Sequence, residues 1–247
     1  MDKKTFAFIP ARAGSLGIKN KNLQKVSGIS LVKRSYDHAI SSEIFGKIII
    51  STDSFEIISE ITSTFLYAEF KQFSENSLVE ISSNTFLHKR RIDQAESLSP
   101  IREVIFDLAN NLEFDQLWML QPTSPFRTIS EFSSIMNLQS QLKETNKKWS
   151  SIVSCRPVGG MHPDRMFKLS GEYAIPLVDQ SNGDNVPRQL LEKLYIKDGA
   201  FYILKRENLV KNIMLGTEVV PYVRHGIKTI NIDEPDDLSI AQLIGEA

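Results

Sequence analysis

Phe6-Ala7-Phe8-Ile9-Pro10-Ala11-Arg12-Ala13-Gly14-Ser15-Leu16-Gly17-Ile18-Lys19-Asn20-Lys21-Asn22 begins as an apolar run and turns abruptly into small residues and cations. The apolar part is too short for a helix and rich in residues that suit a buried strand. Past Pro10, Gly14 and Gly17 permit backbone conformations closed to other residues, so that successive N–H groups can converge on phosphate oxygens. Arg12, Lys19 and Lys21 supply positive charge there. A solvated basic turn is the plain alternative. The glycines lie too close for a G-x-x-x-x-G-K-[ST] loop, and no G-x-G-x-x-G opens a helix, which removes the P-loop and dinucleotide fingerprints.

The pattern repeats outward from this stretch. Lys47-Ile48-Ile49-Ile50, Leu117-Trp118-Met119-Leu120 and Ser151-Ile152-Val153-Ser154 are further short apolar strands. Helix-period segments at Leu31 to Ile40, Phe55 to Phe65, Ile101 to Leu112 and Ile129 to Leu142 separate them. Alternating apolar strands and amphipathic helices predict an α/β fold, a mostly parallel sheet covered on both faces with ligands at the carboxyl ends of its strands. The second half is less regular, with strands expected at Ala200 to Leu204, Val219 to Val223 and Lys228 to Ile232, and a last helix after Pro235. These suggest a mixed edge or a subdomain. Residues 66 to 86 show no firm period and read as an insertion.

Composition sets the limits. A chain of 247 residues, 41% hydrophobic, can bury one substantial core, and a single domain over 1–247 is expected. Its 29 basic and 30 acidic residues nearly cancel, which argues against a global attraction to nucleic acid or a bilayer and makes any anion site local. One cysteine, Cys155, excludes an intramolecular disulfide. No apolar run approaches a membrane span, and the Met-Asp-Lys-Lys-Thr start lacks the apolar stretch of a signal peptide, so a cytoplasmic location is expected.

Together with Lys21-Asn22, the loop Ala11 to Ile18 resembles the signature of the acylneuraminate (CMP-sialic acid) cytidylyltransferases. The resemblance continues in order through Ser51-Thr52-Asp53, Arg90 and Ala95, Gln121-Pro122-Thr123-Ser124-Pro125-Phe126-Arg127, Pro187-Arg188-Gln189, Gly199 to Ile203 and Ile232 to Leu238. It implies a Rossmann-like, three-layer nucleotide-diphospho-sugar transferase fold with a mostly parallel mixed sheet. It also implies transfer of CMP from CTP to the anomeric hydroxyl of an acidic nine-carbon sugar, with Mg2+ assisting and pyrophosphate released. In-line attack on the α-phosphorus requires aligned reactants and cations for the charge growing on the leaving group.

By the same resemblance, Ala11, Arg12, Ser15, Lys21, Asn22 and Arg90 line the nucleotide pocket, with Arg12 and Lys21 nearest the phosphates. Gln121 stands at a strand's carboxyl end and can hydrogen-bond sugar hydroxyls, although its segment also reads as a turn and helix cap. Arg188 matches a position facing the sugar carboxylate, with a surface arginine as the alternative. Phe201 and Tyr202 could wall an N-acyl group or simply fill the core. Asn231 and Asp233, two apart on an expected strand, would face one way as metal ligands, whereas Asp236 and Asp237 suit the first turn of a helix. A homodimer is implied too, through a projecting segment within about 145 to 185.

Two positions depart from the pattern. Leu16 stands where a lysine is usual and Asn231 where an aspartate is common, and Lys19 could compensate for the first. Residues between Phe65 and His88 form a longer stretch than usual. His38, His88 and His225 lack ligand spacing and read as surface or packing residues, His162 lies in a turn near the expected sugar pocket or interface, and Cys155 reads as a small buried hydrophobe. Two rival functions stay open: a related sugar nucleotidyltransferase with another base or sugar, and a homologue that binds CTP and sugar with impaired turnover.

Overall fold

Strand β1 (Thr5–Pro10) divides the molecule by simple alternation: Ala7 and Ile9 enter one apolar cluster, Phe6 and Phe8 the other. The computed structural model describes residues 4–15, 17–95, 99–178 and 186–246, the side chains of Ile92 and Arg188 excepted. After β1 come the short strands β2 (Lys25–Val26) and β3 (Ile29–Ser30), helix α1 (Leu31–Ser42), β4 (Lys47–Thr52), α2 (Phe55–Ser59) and α3 (Tyr67–Gln72). Next are β5 (Leu78–Ser82), β6 (Thr85–Lys89), α4 (Ile92–Ala95), α5 (Ile101–Asn111), β7 (Gln116–Met119), α6 (Ile129–Glu144) and β8 (Ser151–Pro157). The chain continues through β9 (Phe167–Ser170), β10 (Tyr173–Pro176), β11 (Tyr195–Lys205), α7 (Arg206–Leu209), β12 (Val219–Val223) and α8 (Pro235–Glu246).

Among the described residues, eight strands form one sheet in the order β12-β8-β11-β7-β1-β4-β6-β5. Its centre, β7-β1-β4-β6, is wholly parallel. β11 runs antiparallel to both β7 and β8, β12 is parallel to β8, and β5 is antiparallel to β6. On one face Val32 and Ala39 of α1 and Phe132 and Ile135 of α6 pack on Ala7, Ile50 and Trp118. On the other, Val104, Ile105 and Leu108 of α5 cover Phe8, Ile49 and Met119. The sandwich therefore has three layers, and each fully buried Phe, Leu or Ile contributes about 1.5–3 kcal/mol. Trp118 and Phe132 stack with ring centroids 6.1 Å apart, locking α6 to the sheet.

Helix starts follow the sequence: Ser30 Oγ accepts the Lys33 N–H ahead of α1, and the Glu131 carboxylate accepts the Thr128 N–H ahead of α6. Two expectations are corrected. The helix expected to run from Phe55 to Phe65 stops at Ser59, after which Ile61 and Thr62 turn back on the Ile58 carbonyl. The strand expected over Lys228 to Ile232 is a short 3-10 turn, Ile227–Thr229, followed by extended chain outside any ladder. Residues 66 to 86 have structure of their own: α3 and the hairpin partner β5, which becomes a sheet edge. No helix among the described residues is long and apolar enough to cross a membrane.

Candidate functional site

Because β1, β4, β6 and β7 are parallel, the segments following Pro10, Thr52, Lys89 and Met119 emerge at one edge of the sheet. Backbone pairing continues beyond the strands there, from Ala11 N to Ser51 O, Arg90 N to Thr52 O and Leu120 N to Phe8 O, each at 2.9 Å. These bonds fix where the following side chains start. At this edge a cavity of about 430 Å³ is lined by Arg12, Ser15, Lys21, Asn22 and Arg90 on one side, and by Gln121, Thr123, Tyr202, Asn231 and Asp233 on the other.

The loop side is held by its own polar groups. Asn22 Nδ2 donates to the Arg12 carbonyl at 2.8 Å, and the Ala13 N–H donates to Asp53 Oδ1 at 2.8 Å. Lys21 Nζ reaches the Ile232 carbonyl at 3.0 Å and Asp233 Oδ1 at 3.1 Å, tying the loop to the C-terminal segment. Gly17 is required at that junction, since a Cβ there would lie 2.5 Å from the Asp233 carbonyl oxygen. Arg90 is 5% exposed, and burial lowers its pKa to about 10, so it keeps its charge at neutral pH. It donates from Nε to Ser51 Oγ and from Nη2 to the Ser51 carbonyl, each at 3.2 Å.

The opposite wall is assembled from distant segments. Ile232 N donates to the Thr123 carbonyl at 2.8 Å, which lays the C-terminal segment on the turn after β7. Asn231 Nδ2 lies 2.5 Å from Asp233 Oδ2, so both side chains face together although no strand aligns them. Ser124 Oγ contacts the Asp198 carbonyl at 2.7 Å and Asn231 Oδ1 at 3.2 Å. Gly199, at φ +77°, sits among these groups: a Cβ would stand 2.6 Å from Gln121 Oε1, 2.8 Å from Ser124 Oγ and 3.0 Å from Asn231 Oδ1. Asp237 Oδ2 accepts the Asp233 and Glu234 N–H groups at 3.0 and 2.9 Å, as expected of a first-turn acid.

Behind this wall is a buried network that reading the sequence missed. Arg127 donates to the Ala200 carbonyl at 2.7 Å, to Ser35 Oγ at 3.2 Å and to the Gln121 carbonyl. Burial and the neighbouring Arg224 charge lower its pKa to about 9. Arg224 pairs with Asp198 at 2.9 Å and Glu131 at 2.6 Å, and Asp198 Oδ1 takes the Ser154 hydroxyl at 2.5 Å and the Ala200 N–H at 3.1 Å. An aspartate ahead of a glycine inside a strand was the available signal, because such a break needs side chains to satisfy its backbone.

Several expected residues lie elsewhere. Ala11 is buried and contributes through its backbone. Phe201 faces the core between Trp118, Phe132 and Tyr222, leaving Tyr202 as the aromatic lining of the cavity; burial and then Asp198 raise the Tyr202 pKa. Lys19 is exposed and outside the lining. Leu16 and the Arg188 side chain lie outside the described residues. His162 is buried under a different cavity, donating from Nε2 to the Glu192 carbonyl at 3.1 Å. His88 is 1% exposed, a buried polar residue rather than a surface one. Cys155 is buried, which raises its thiol pKa. Among the described residues no three His, Cys, Asp or Glu side chains gather as a metal cage.

Comparison with known proteins bears out the resemblance. A family model described as Cytidylyltransferase matches residues 6–95. The chain is 32% identical over 213 residues to an N-acylneuraminate cytidylyltransferase of Streptococcus agalactiae serotype V, covering 84% of this chain and 45% of that protein. It thus spans about half the length of that relative. It is also 26% identical over 252 residues to a CMP-N,N'-diacetyllegionaminic acid synthase of Legionella pneumophila, covering 98% of this chain and 97% of that protein. Among solved structures, a CMP:2-keto-3-deoxy-manno-octonic acid synthetase complexed with CTP superposes with a TM-score of 0.59 at 13% identity, covering 98% of both chains. That last likeness is one of fold, a mostly parallel, mixed sheet of Rossmann type.

Proposed function

We propose that the protein transfers CMP from CTP to the anomeric hydroxyl of a nonulosonic acid and releases pyrophosphate. The observation that supports this reading best is the meeting, in one cavity, of a cationic loop and a polar wall from the far end of the chain. Arg12, Lys21 and Arg90 offer three positive charges to a triphosphate, and Gln121, Thr123 and Tyr202 offer hydrogen-bonding groups to a sugar. Similarity to a sialic acid cytidylyltransferase and a legionaminic acid synthase favours a nine-carbon keto acid and cytidine. Arg188 is proposed to meet its carboxylate.

In this reading the loop and wall hold the sugar hydroxyl opposite the leaving pyrophosphate, while Arg12 and Lys21 stabilise the charge that develops there. The donor set suits Mg2+ in a limited way. Asp233 gives one exposed carboxylate, shared with Lys21, while Asn231 turns its Nδ2 to that carboxylate and its Oδ1 to Ser124 and would have to rotate to offer its oxygen; a magnesium ion commonly takes one or two carboxylates, substrate phosphates and waters. Bound there, the metal would neutralise phosphate charge. A location where CTP is made, the cytoplasm, fits this chemistry.

Association as a homodimer is part of the proposal. The β9–β10 hairpin exposes Phe167, Leu169, Tyr173 and Ile175, with Leu169 78% and Tyr173 77% exposed, an apolar surface that isolated hairpins do not maintain in water. The deciding assay supplies CTP, Mg2+ and a panel of sialic, legionaminic and pseudaminic acids and follows pyrophosphate. Release with at least one sugar is expected. Release only with another nucleotide would reassign the base, and tight CTP binding without release for any sugar would make the protein a binding homologue.

A further inference from the structure

His88 occupies a place where an imidazole is costly. It lies on β6 and is 1% exposed, and a buried polar group destabilises the fold unless its hydrogen bonds are made. Both ring nitrogens are satisfied: Nδ1 is 3.0 Å from Ser51 Oγ and Nε2 is 2.9 Å from Asn76 Oδ1. An amide oxygen only accepts, so Nε2 carries the proton and Nδ1 is left to accept from the Ser51 hydroxyl. The remaining lone pair of Ser51 Oγ receives Arg90 Nε at 3.2 Å. The bonds therefore run in one sense, from Arg90 through Ser51 into the neutral ring, and from the ring out to Asn76 at the surface.

We propose that His88, with Ser51 and Asn76, is a positioning residue that aims Arg90 at the nucleotide in the cavity. Among the described residues, the Arg90 guanidinium hydrogen-bonds only to the hydroxyl and carbonyl of Ser51. These neutral acceptors hold the guanidinium in place without pairing its charge directly; Asp53 acts on Arg90 only through space, while Asp53 Oδ1 accepts the Ala13 N–H, so the guanidinium stays open to an anion. The outer end is equally fixed. Asn76 stands in the left-handed region at φ 58°, its N–H donates to the Lys89 carbonyl at 2.7 Å, and β5 pairs Leu78 with His88. The edge hairpin thus reaches the cavity through a chain of three side chains.

The inference rests on reading the cavity as a CTP site, and the test separates the two. Calorimetry with CTP and Mg2+, alongside steady-state pyrophosphate release, is applied to wild type and to His88→Leu, His88→Asn, Ser51→Ala and Asn76→Ala. His88→Leu and Ser51→Ala are expected to weaken CTP binding and raise its KM about tenfold, with the sugar KM within about twofold. Asn at 88 can place its oxygen near the position of Nδ1, so His88→Asn should recover most of the loss, and Asn76→Ala should cost about threefold. CTP affinity unchanged in folded His88→Leu and Ser51→Ala would overturn the positioning role while leaving the function intact. Equal losses toward CTP and sugar, with no recovery by Asn, would overturn it as well by reducing His88 to a packing residue. Wild type that binds no CTP would overturn both readings.

Discussion

The two walls of the cavity are built in opposite ways. The loop wall comes mostly from one contiguous stretch, Arg12 to Asn22, launched from the central parallel strand. The facing wall joins residues near 121, 202 and 231, which meet only because β11 runs antiparallel beside β7 and the C-terminal segment lies on the turn after β7. A contiguous wall depends on local conformation and charge. An assembled one depends on buried groups that satisfy its irregular backbone, and here that means Arg127, Asp198, Arg224 and Gly199. Damage to the first should change chemistry with little loss of stability, while damage to the second should change both.

The largest expected effect tests the loop wall. Lys21→Ala removes a cation proposed to meet the phosphates and should lower kcat about 100- to 1000-fold with only a small fall in melting temperature from the lost bonds to Ile232 and Asp233, which turnover and calorimetric melting together would show. A large fall in melting temperature would place Lys21 among the structural groups. On the facing wall, Arg127→Leu takes the side-chain donor from the Ala200 carbonyl and leaves the Gln121 carbonyl with the Ser124 N–H alone, and should cost about 1–3 kcal/mol in denaturant unfolding, with a raised sugar KM in the protein that remains folded. Retained stability would break the contrast between the walls.

A pH experiment separates a buried neutral group from the exposed ones. Burial, aided by the Arg90 charge and opposed by Asp107, lowers the pKa of His88 from 6.5 to about 4. In that window the unfolded chain takes up a proton that the folded chain refuses, so stability falls as pH drops from 6.5 toward 4 and is fully present above 6.5. The contribution is at most about 3 kcal/mol. His38, lowered to about 3 by burial and by Arg127 and Arg34, adds to the same trend. Urea midpoints at stepped pH should show a shallower slope for His88→Asn, and an identical slope would mean that the ring is not buried neutral. Gly199→Ala is a smaller change to the facing wall. Its positive φ and crowding against Gln121, Ser124 and Asn231 should cost about 1–3 kcal/mol and raise the sugar KM more than the CTP KM.

The smallest expected effect on the fold lies outside both walls. Leu169→Ser with Tyr173→Ser should leave unfolding within about 0.5 kcal/mol per substitution at the monomer level, since neither side chain is buried in the chain itself. Sedimentation should nevertheless show the proposed dimer weakened. An unchanged monomeric species before and after the substitutions would remove the hairpin from any interface.

Particular residues show how far the sequence could be read. Arg12, Lys21 and Asn22, carried by the family resemblance, and Gln121, at a strand's carboxyl end, line one cavity; Asn231 and Asp233 line it too, although the strand expected to align them is absent. Phe201 was misjudged as a possible wall, because a strand's two faces cannot be told apart when both are covered. Helix α2 ends at Ser59, where the Ile61 and Thr62 N–H groups share the Ile58 carbonyl and the regular ladder stops, a local choice that apolar spacing does not reveal.

Apolar runs of strand length, helix-period spacing and two glycines among cations are short-range properties, so the sequence by itself determined the three-layer α/β order and the cationic, glycine-bearing loop after β1. Which polar residues became buried supports was decided only by tertiary structure. His88 sits in a stretch that looks ordinary in one dimension, and the roles of His88, Arg127 and Asp198 arise when strands distant in sequence exclude water around them and leave each donor to find an acceptor inside the protein.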